Sequence, residues 1–300
     1  MKLKQTIGTS KITPYVFIFP FIASFLIFYL YPIISTFIMG FQLVYPGQVE
    51  FIGLENYRKL NNPEFKVALL NSFRYTIYTL LLLIPLPLVL SVWLNSGNRT
   101  INSIYRSILY VPTLISVVVA GTIMRLLFAS SNRGIINTLA IALGAEPRQW
   151  LLGGPSQAMI LLLILALWRW VGVNIIYFLS GLQAIPDELY EAANIDGASG
   201  FQKFWRITIP LVKNTTIFVT TISIFGGLAM FEESYILWSG TASPNNAGLT
   251  IVGYLYKKGF QEGEMGMTSA IGIVLLFIVF TLNTTFLKTF GFFESEGRQR

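Results

Sequence analysis

Cysteine and histidine are both absent from the 300 residues. The first absence excludes disulfides and thiolate metal sites. The second removes the commonest metal ligand and the usual proton relay near neutral pH. Charge is scarce as well: Asp, Glu, Lys and Arg make up 12% of the chain, against about 25% in an ordinary soluble domain. No Gly-x-x-x-x-Gly-Lys-Ser/Thr stretch occurs, and no Gly-Lys pair at all, so the chain has no phosphate-cradling loop of its own. The energy it uses must come from a partner or a gradient.

Apolar residues are plentiful, at 54% of the sequence with mean hydropathy +0.63. No soluble core hides that much apolar surface behind so little charge, so lipid is the expected solvent. The net charge of +7 comes from basic residues scattered singly, without the Lys/Arg runs that track phosphates, and no nucleic-acid partner is expected.

A membrane-crossing helix needs about 20 mostly apolar residues. Stretches of that order fall near 14–38, 71–95, 106–128, 157–182, 209–238 and 267–289, which predicts an all-α integral membrane protein of six spans in a single domain over 1–300. Lys2, Lys4 and Lys11 precede the first stretch, but it exceeds a signal-peptide core and no small-x-small cleavage site follows it, so it reads as a retained span. Six spans put both termini on one side. If that side is the cytoplasm, the inner segments hold Lys2, Lys4, Lys11, Arg99, Arg106, Lys203, Arg206, Lys213, Lys288, Arg298 and Arg300. The outer ones hold Arg58, Lys59, Lys66, Arg133, Arg148, Lys257 and Lys258. The excess favours cytoplasmic termini and sets the loop 184–208 in the cytoplasm. Outside, 54–65 reads as one short interfacial helix stopped near Pro63, and 134–150 as a surface helix ended by Gly144.

The loop 184–208 is the most polar inner segment. Pro186 and Asp187 open a helix, as an acid at the positive end of the dipole suits. Glu188 to Ile195 continues it, and Gly197 supplies a left-handed stop. Ser199 caps a second short helix with Phe204, Trp205 and Ile207, and Pro210 starts the fifth span. This helix–turn–helix finger offers small Ala192 and Ala193, which let a partner's backbone come close, beside Glu188 and Glu191, which suit its Arg or Lys.

Glu191-Ala192-Ala193, then Gly197 three residues on, Ile207 after nine more, and Ile209-Pro210 resemble the EAA loop of ABC importer permeases. At average residue usage that spacing arises by chance roughly once in 10⁷ starts. Ile209 stands where the family usually has Leu. Asp196-Gly197-Ala198 narrows the likeness to the carbohydrate branch, similar to permeases for maltose, other oligosaccharides and glycerol phosphate. PYVFIFPFIASFLIFYLYP, IGLENYRKL, GIINTLAIALG and WRWVGVNIIYFLSGLQAIP extend it over most of the chain. The resemblance implies a type I, maltose-transporter-like permease in a bacterial cell membrane. It also implies a second permease, in a heterodimer, with two ATPase subunits that hold ATP–Mg, and an extracytoplasmic sugar-binding protein. The finger (Glu188, Glu191, Ala192, Ala193, Asp196, Gly197, Ala198, Ile207, Pro210) is then the coupling helix seated in an ATPase groove. No catalytic residue, metal or cofactor is expected in the chain itself.

Sugars are held by aromatic faces with a few polar groups, and the fourth span offers Trp168, Arg169, Trp170 and Asn174. A charge inside a span is a functional candidate by default. Two compatible readings of Arg169 stay open: an ion pair with Glu232 or Glu233 of the fifth span, or direct sugar contact. Trp168 and Trp170, about 200° apart on a helix, do not both face a pore. Tyr235 joins Glu232 and Glu233 as a pathway candidate. The loop after the fifth span reads SGTASPNNAGLT and lacks the family's Gly-Gly-Pro, a departure at the segment expected to meet the binding protein. Phe225-Gly226-Gly227 reads as a flexible or close-packed point. Rival readings are an ABC permease for glycerol phosphate or another small solute, an ion-coupled secondary transporter and a membrane enzyme. The missing histidines, the few acids within spans and the absence of an evident inverted repeat weigh against the second. The lack of clustered acids, His or Cys weighs against the third.

Overall fold

A computed structural model of the chain describes residues 13–45, 47–131 and 134–291. Both termini, and with them Lys2, Lys4, Lys11, Arg133, Arg298 and Arg300, lie outside the described residues. The residues fall into two compact units, one through Leu60 together with Lys258–Val274, the other Asn61–Lys257 with the segment from Leu275 onward.

The first unit begins with the apolar helix Pro14–Met39. Its ladder widens into a π-turn over Leu26–Leu30 just before Pro32, which has no N–H to donate. None of its described residues is buried. A two-stranded antiparallel hairpin follows, β1 (Gln42–Tyr45) and β2 (Gln48–Phe51), with Gln42 opposite Phe51. This hairpin is a small addition to an otherwise helical fold. Asn56, on the short helix Glu55–Lys59, donates from Nδ2 to the carbonyls of Gly40 at 3.1 Å and Gln42 at 2.9 Å, closing the hairpin's base.

The interfacial helix expected over 54–65 therefore ends at Lys59, and Pro63 opens the next helix instead of stopping this one. Asn62 caps that helix, accepting from Phe65 N at 2.9 Å, and proline at the first helical position gives up an N–H that had no partner anyway.

In the second unit the apolar stretch Pro63–Asn95 comprises helices Pro63–Leu83 and Pro85–Asn95. The break has a cause in the sequence. Pro87 cannot donate to the carbonyl four residues back, which frees Leu83 O. Asn174 Nδ2, from the neighbouring long helix, donates to that carbonyl at 3.0 Å in a buried position.

The third span is not one helix. Arg99–Leu114 and Val117–Leu127 meet at 98°, with Pro112 inside the first and Ser116 capping the second by accepting from Val119 N. The fifth, expected over 209–238, is broken twice. Gly200–Leu211 and Lys213–Leu228 meet at 67°, and a non-helical step through Phe231 precedes the short helix Glu232–Trp238. The fourth helix, Pro155–Gln183, is unbroken over 29 residues, and 56% of its most apolar window is buried. With Met265–Thr289, the described residues hold four helices long and apolar enough to cross a membrane, or six spans if each bent pair counts as one.

Helix Pro155–Gln183 is the mast of its unit. At Gly172 the backbone of Arg99–Leu114 comes so close that a Cβ would collide with the Leu109 carbonyl. Beside this crossing Thr113 Oγ1 donates to Arg169 O at 2.6 Å. Helix Lys213–Leu228 packs on Pro63–Leu83 through Gly227, where a Cβ would stand 2.7 Å from Thr76 Oγ1. Gly227 is thus a packing position and Gly226 is open.

Two loops are built around amides. The surface helix near 134–150 runs Ile135–Ala142 and stops ahead of Gly144. Asn137 holds the loop behind it, donating to Arg148 O and accepting from Arg148 N and Trp150 Nε1, each at 3.0 Å. Asn71 donates to Asn246 O at 2.9 Å and Leu249 O at 3.0 Å, which seats the loop after helix Glu232–Trp238 on helix Pro63–Leu83. Substituting Gly172 by Val should push the two helices apart. The expected loss is about 1–3 kcal/mol, the usual cost of overpacking a core, read as a lowered midpoint of thermal unfolding in detergent.

Candidate functional site

A cavity of about 270 Å³ lies within the second unit. Its walls come from helices Pro63–Leu83, Pro155–Gln183 and Lys213–Leu228 and from the start of Glu232–Trp238. From the mast helix Trp170, Asn174 and Tyr177 face it. Their spacings of four and three residues lay them along one helical face. From Lys213–Leu228 come Ser223, Gly226 and Gly227 in the same rhythm. Most of the wall is apolar, with a few convergent polar groups, as ligand pockets generally are.

At one wall stands Glu233. Its Oε1 accepts from Arg169 Nη1 at 2.8 Å, and Arg169 and Glu233 are only 8% and 9% exposed. Of the two carboxylates that the sequence offered to Arg169, the nearer partner is Glu233. Glu232 points outward and is exposed. The Arg169 guanidinium lies 5.1 Å from the Trp170 ring centroid, so one face of that indole meets a cation. Arg169 Nε is buried without a partner. Arg169 itself does not line the cavity; it stands behind Glu233 and Trp170.

The remaining pathway candidates divide. Trp168 packs, half-buried, against the core cluster that includes Leu165 and Met230. Tyr235 sits in an aromatic trio with Phe231 and Tyr256, ring centroids 5.1–5.4 Å apart. Neither reaches the cavity. Asn174 reaches it, with its amide N–H committed to Leu83 O. Tyr177 and Ser223 escaped the sequence reading. Tyr177 was findable as the continuation of the Trp170–Asn174 stripe, while Ser223 needed the packing of the fifth span.

The finger is a second site, away from this cavity. Helix Asp187–Ile195 has Asp187 and Glu188 in its first turn and buries none of its residues. Its end satisfies the last carbonyls with two bonds, Gly197 N to Asn194 O at 3.1 Å and Ala198 N to Ala193 O at 2.8 Å. That closure requires the left-handed conformation seen at Gly197, φ +73°. Ser199 and Gln202 then form a reciprocal capping box for Gly200–Lys203. A π-turn over Phe204–Thr208 follows.

Glu188, Glu191, Ala192, Asp196, Gly197 and Pro210 are exposed, Ala193 and Ala198 half so. Ile195 is 88% exposed. Ile207 differs from the others. It packs beneath the finger with Tyr190 and Phe204 against Phe178, Leu182 and Val212. A bond between Tyr190 OH and Thr208 Oγ1 at 2.9 Å ties the first finger helix to the π-turn.

Residues 84–290 match the family described as the binding-protein-dependent transport system inner membrane component. The chain belongs to that family. The permease is 50% identical to the arabinooligosaccharides transport system permease protein AraP of Bacillus subtilis (strain 168), over 96% of this chain and 92% of that protein. It is 31% identical to the lactose transport system permease protein LacF of Rhizobium radiobacter, over 90% and 91% respectively. Its fold is similar to a chain in the crystal structure of a bacterial ABC transporter involved in the import of the acidic polysaccharide alginate. The TM-score is 0.81 with 26% identity, covering 92% of this chain and 95% of that one. The permease is thus a multi-pass membrane protein of a transport family.

Breaking a buried ion pair from one side strands a charge, which costs about 3–5 kcal/mol, whereas replacing both members costs far less. Arg169→Met or Glu233→Gln should therefore lower the unfolding midpoint in detergent more than the double variant Arg169→Met/Glu233→Gln does. The double-variant cycle measures the coupling.

Proposed function

We propose that this permease forms half of the translocation pathway of an ATP-binding-cassette importer and moves a carbohydrate, an oligosaccharide, delivered by an extracytoplasmic binding protein. The observation that carries it is the bare finger. It holds the family's spaced Glu191-Ala192-Ala193 and Gly197, closes its first helix at Gly197, caps its second at Ser199, and leaves its whole first helix unburied. Such a segment suits a groove on another protein. Carbohydrate cargo is supported by relatives named for arabinooligosaccharides and lactose. A cavity faced by Trp170 and Tyr177 supports it too, since aromatic rings offer flat apolar faces beside a few polar groups.

The partners follow from that role. A second permease, as a different chain, completes the pathway. Two ATPase subunits hold ATP–Mg, and this chain does no bond chemistry. Closure of the ATPases pulls the finger, and partner binding selects one of two helix packings, inward- or outward-open. The termini and the finger are cytoplasmic.

Glu191→Lys reverses a charge on the finger and Gly197→Asp puts a side chain at a left-handed position. Both variants should insert normally in the membrane yet lose co-purifying ATPase and substrate uptake by tenfold or more. Wild-type uptake in either one counts against the assignment. Orientation is testable in a chain without cysteine: a single Asn194→Cys should react with a membrane-impermeant maleimide in inside-out vesicles and stay unlabelled in intact cells.

A further inference from the structure

We infer that the cavity selects uncharged sugars and turns away anionic ones, through the placing of the Glu233 carboxylate at its wall with Arg169 behind it. This rests on the carbohydrate reading above and adds to it the charge class of the cargo.

Among the described residues that line the cavity, Glu233 is the one that carries a charge. The nearby cation does not line the cavity. Arg169 gives Nη1 to Glu233 Oε1 at 2.8 Å, lays its guanidinium on the Trp170 ring and stays 8% exposed. A carboxylate or phosphate entering the cavity therefore meets the negative end of the pair first, with the guanidinium set behind the wall. Recognition of such anions ordinarily uses Arg forks or Lys aimed into the site, and no Lys or Arg lines this cavity.

The polarity of the remaining groups points the same way. One N–H of the Asn174 amide is taken by Leu83 O, while its oxygen keeps its full accepting capacity. The Glu233 carboxylate is an acceptor only. Tyr177 and Ser223 add hydroxyls that donate or accept. An acceptor-rich wall suits a ligand studded with O–H donors, as a neutral sugar is. Carboxylates and phosphates, being acceptors only, leave both sides unpaired in a site of low dielectric. The structural relative belongs to a transporter of the acidic polysaccharide alginate, so a shared fold does not settle the charge of the cargo and the cavity wall must.

The test uses the complete transporter, permeases and ATPases together, in lipid nanodiscs without binding protein, so that the cavity alone is read. Quenching of tryptophan fluorescence is titrated with arabinotriose and maltotriose as neutral probes and trigalacturonic acid as the anionic one. A Trp170→Phe variant identifies the signal from the cavity. The expected result is at least tenfold tighter binding of a neutral trisaccharide than of the acid. Glu233→Gln should shrink that preference to threefold or less. Arg169→Met/Glu233→Gln, which leaves no stranded cation, should shrink it as well, so that loss of fold in the single variant does not decide the outcome. Binding of the acid within threefold of the neutral sugars by the unaltered complex, or an undiminished preference in the double variant, overturns the selectivity and leaves carbohydrate transport standing. Binding of none of the three overturns the carbohydrate reading itself, and the selectivity with it.

Discussion

A helix that breaks within hydrocarbon must find new donors for the carbonyls it frees, because no water is there to supply them. The permease meets that constraint repeatedly, and the solutions arrange its interior. Pro87 releases Leu83 O, and Asn174 reaches across to take it. Asn71, on the same helix as Leu83, gathers the carbonyls of Asn246 and Leu249 from the loop after Glu232–Trp238. The first bond fixes helix against helix, and the second pair fixes a loop against a helix. Asn174, held to Leu83 O in this way, also lines the cavity.

The mast helix Pro155–Gln183 joins the two sites. At mid-length it carries Arg169 and Trp170, which shape the cavity wall. At its C-terminal end Phe178 and Leu182 pack under the finger with Val212, Val219 and Leu88. The finger thus packs directly on the helix that lines the cavity. The Tyr190–Thr208 bond ties the first finger helix to the π-turn.

What the sequence made legible was whatever depended on local rules. The finger's limits, its left-handed stop at Gly197 and the cap at Ser199 are short-range backbone chemistry, written in consecutive residues. The long apolar runs announced their helices, and a lone arginine inside one announced a partner. Three things lay beyond reach. The 98° bend near Ile115 and the break at Val212 depend on how the halves pack, as proline alone bends a helix without choosing the angle. The hairpin Gln42–Phe51 is held by Asn56, a residue on a different element. Tyr235, which neighbours Glu233 in sequence, packs with Phe231 and Tyr256 instead of lining the cavity, a placement that depends on a partner far along the chain.

The charges of this molecule live in two climates. Lys257 and Glu64, 2.5 Å apart, keep roughly a third of their side chains in contact with the surroundings, where mobile ions crowd in and weaken such a bond within a Debye length of about 8 Å at physiological ionic strength. Arg169 and Glu233, 8% and 9% exposed, lie where such screening reaches far less. A rise in the salt of the medium would weaken the first pair more than the second, so the cavity wall keeps most of its electrostatic character through changes that rewrite the protein's exterior.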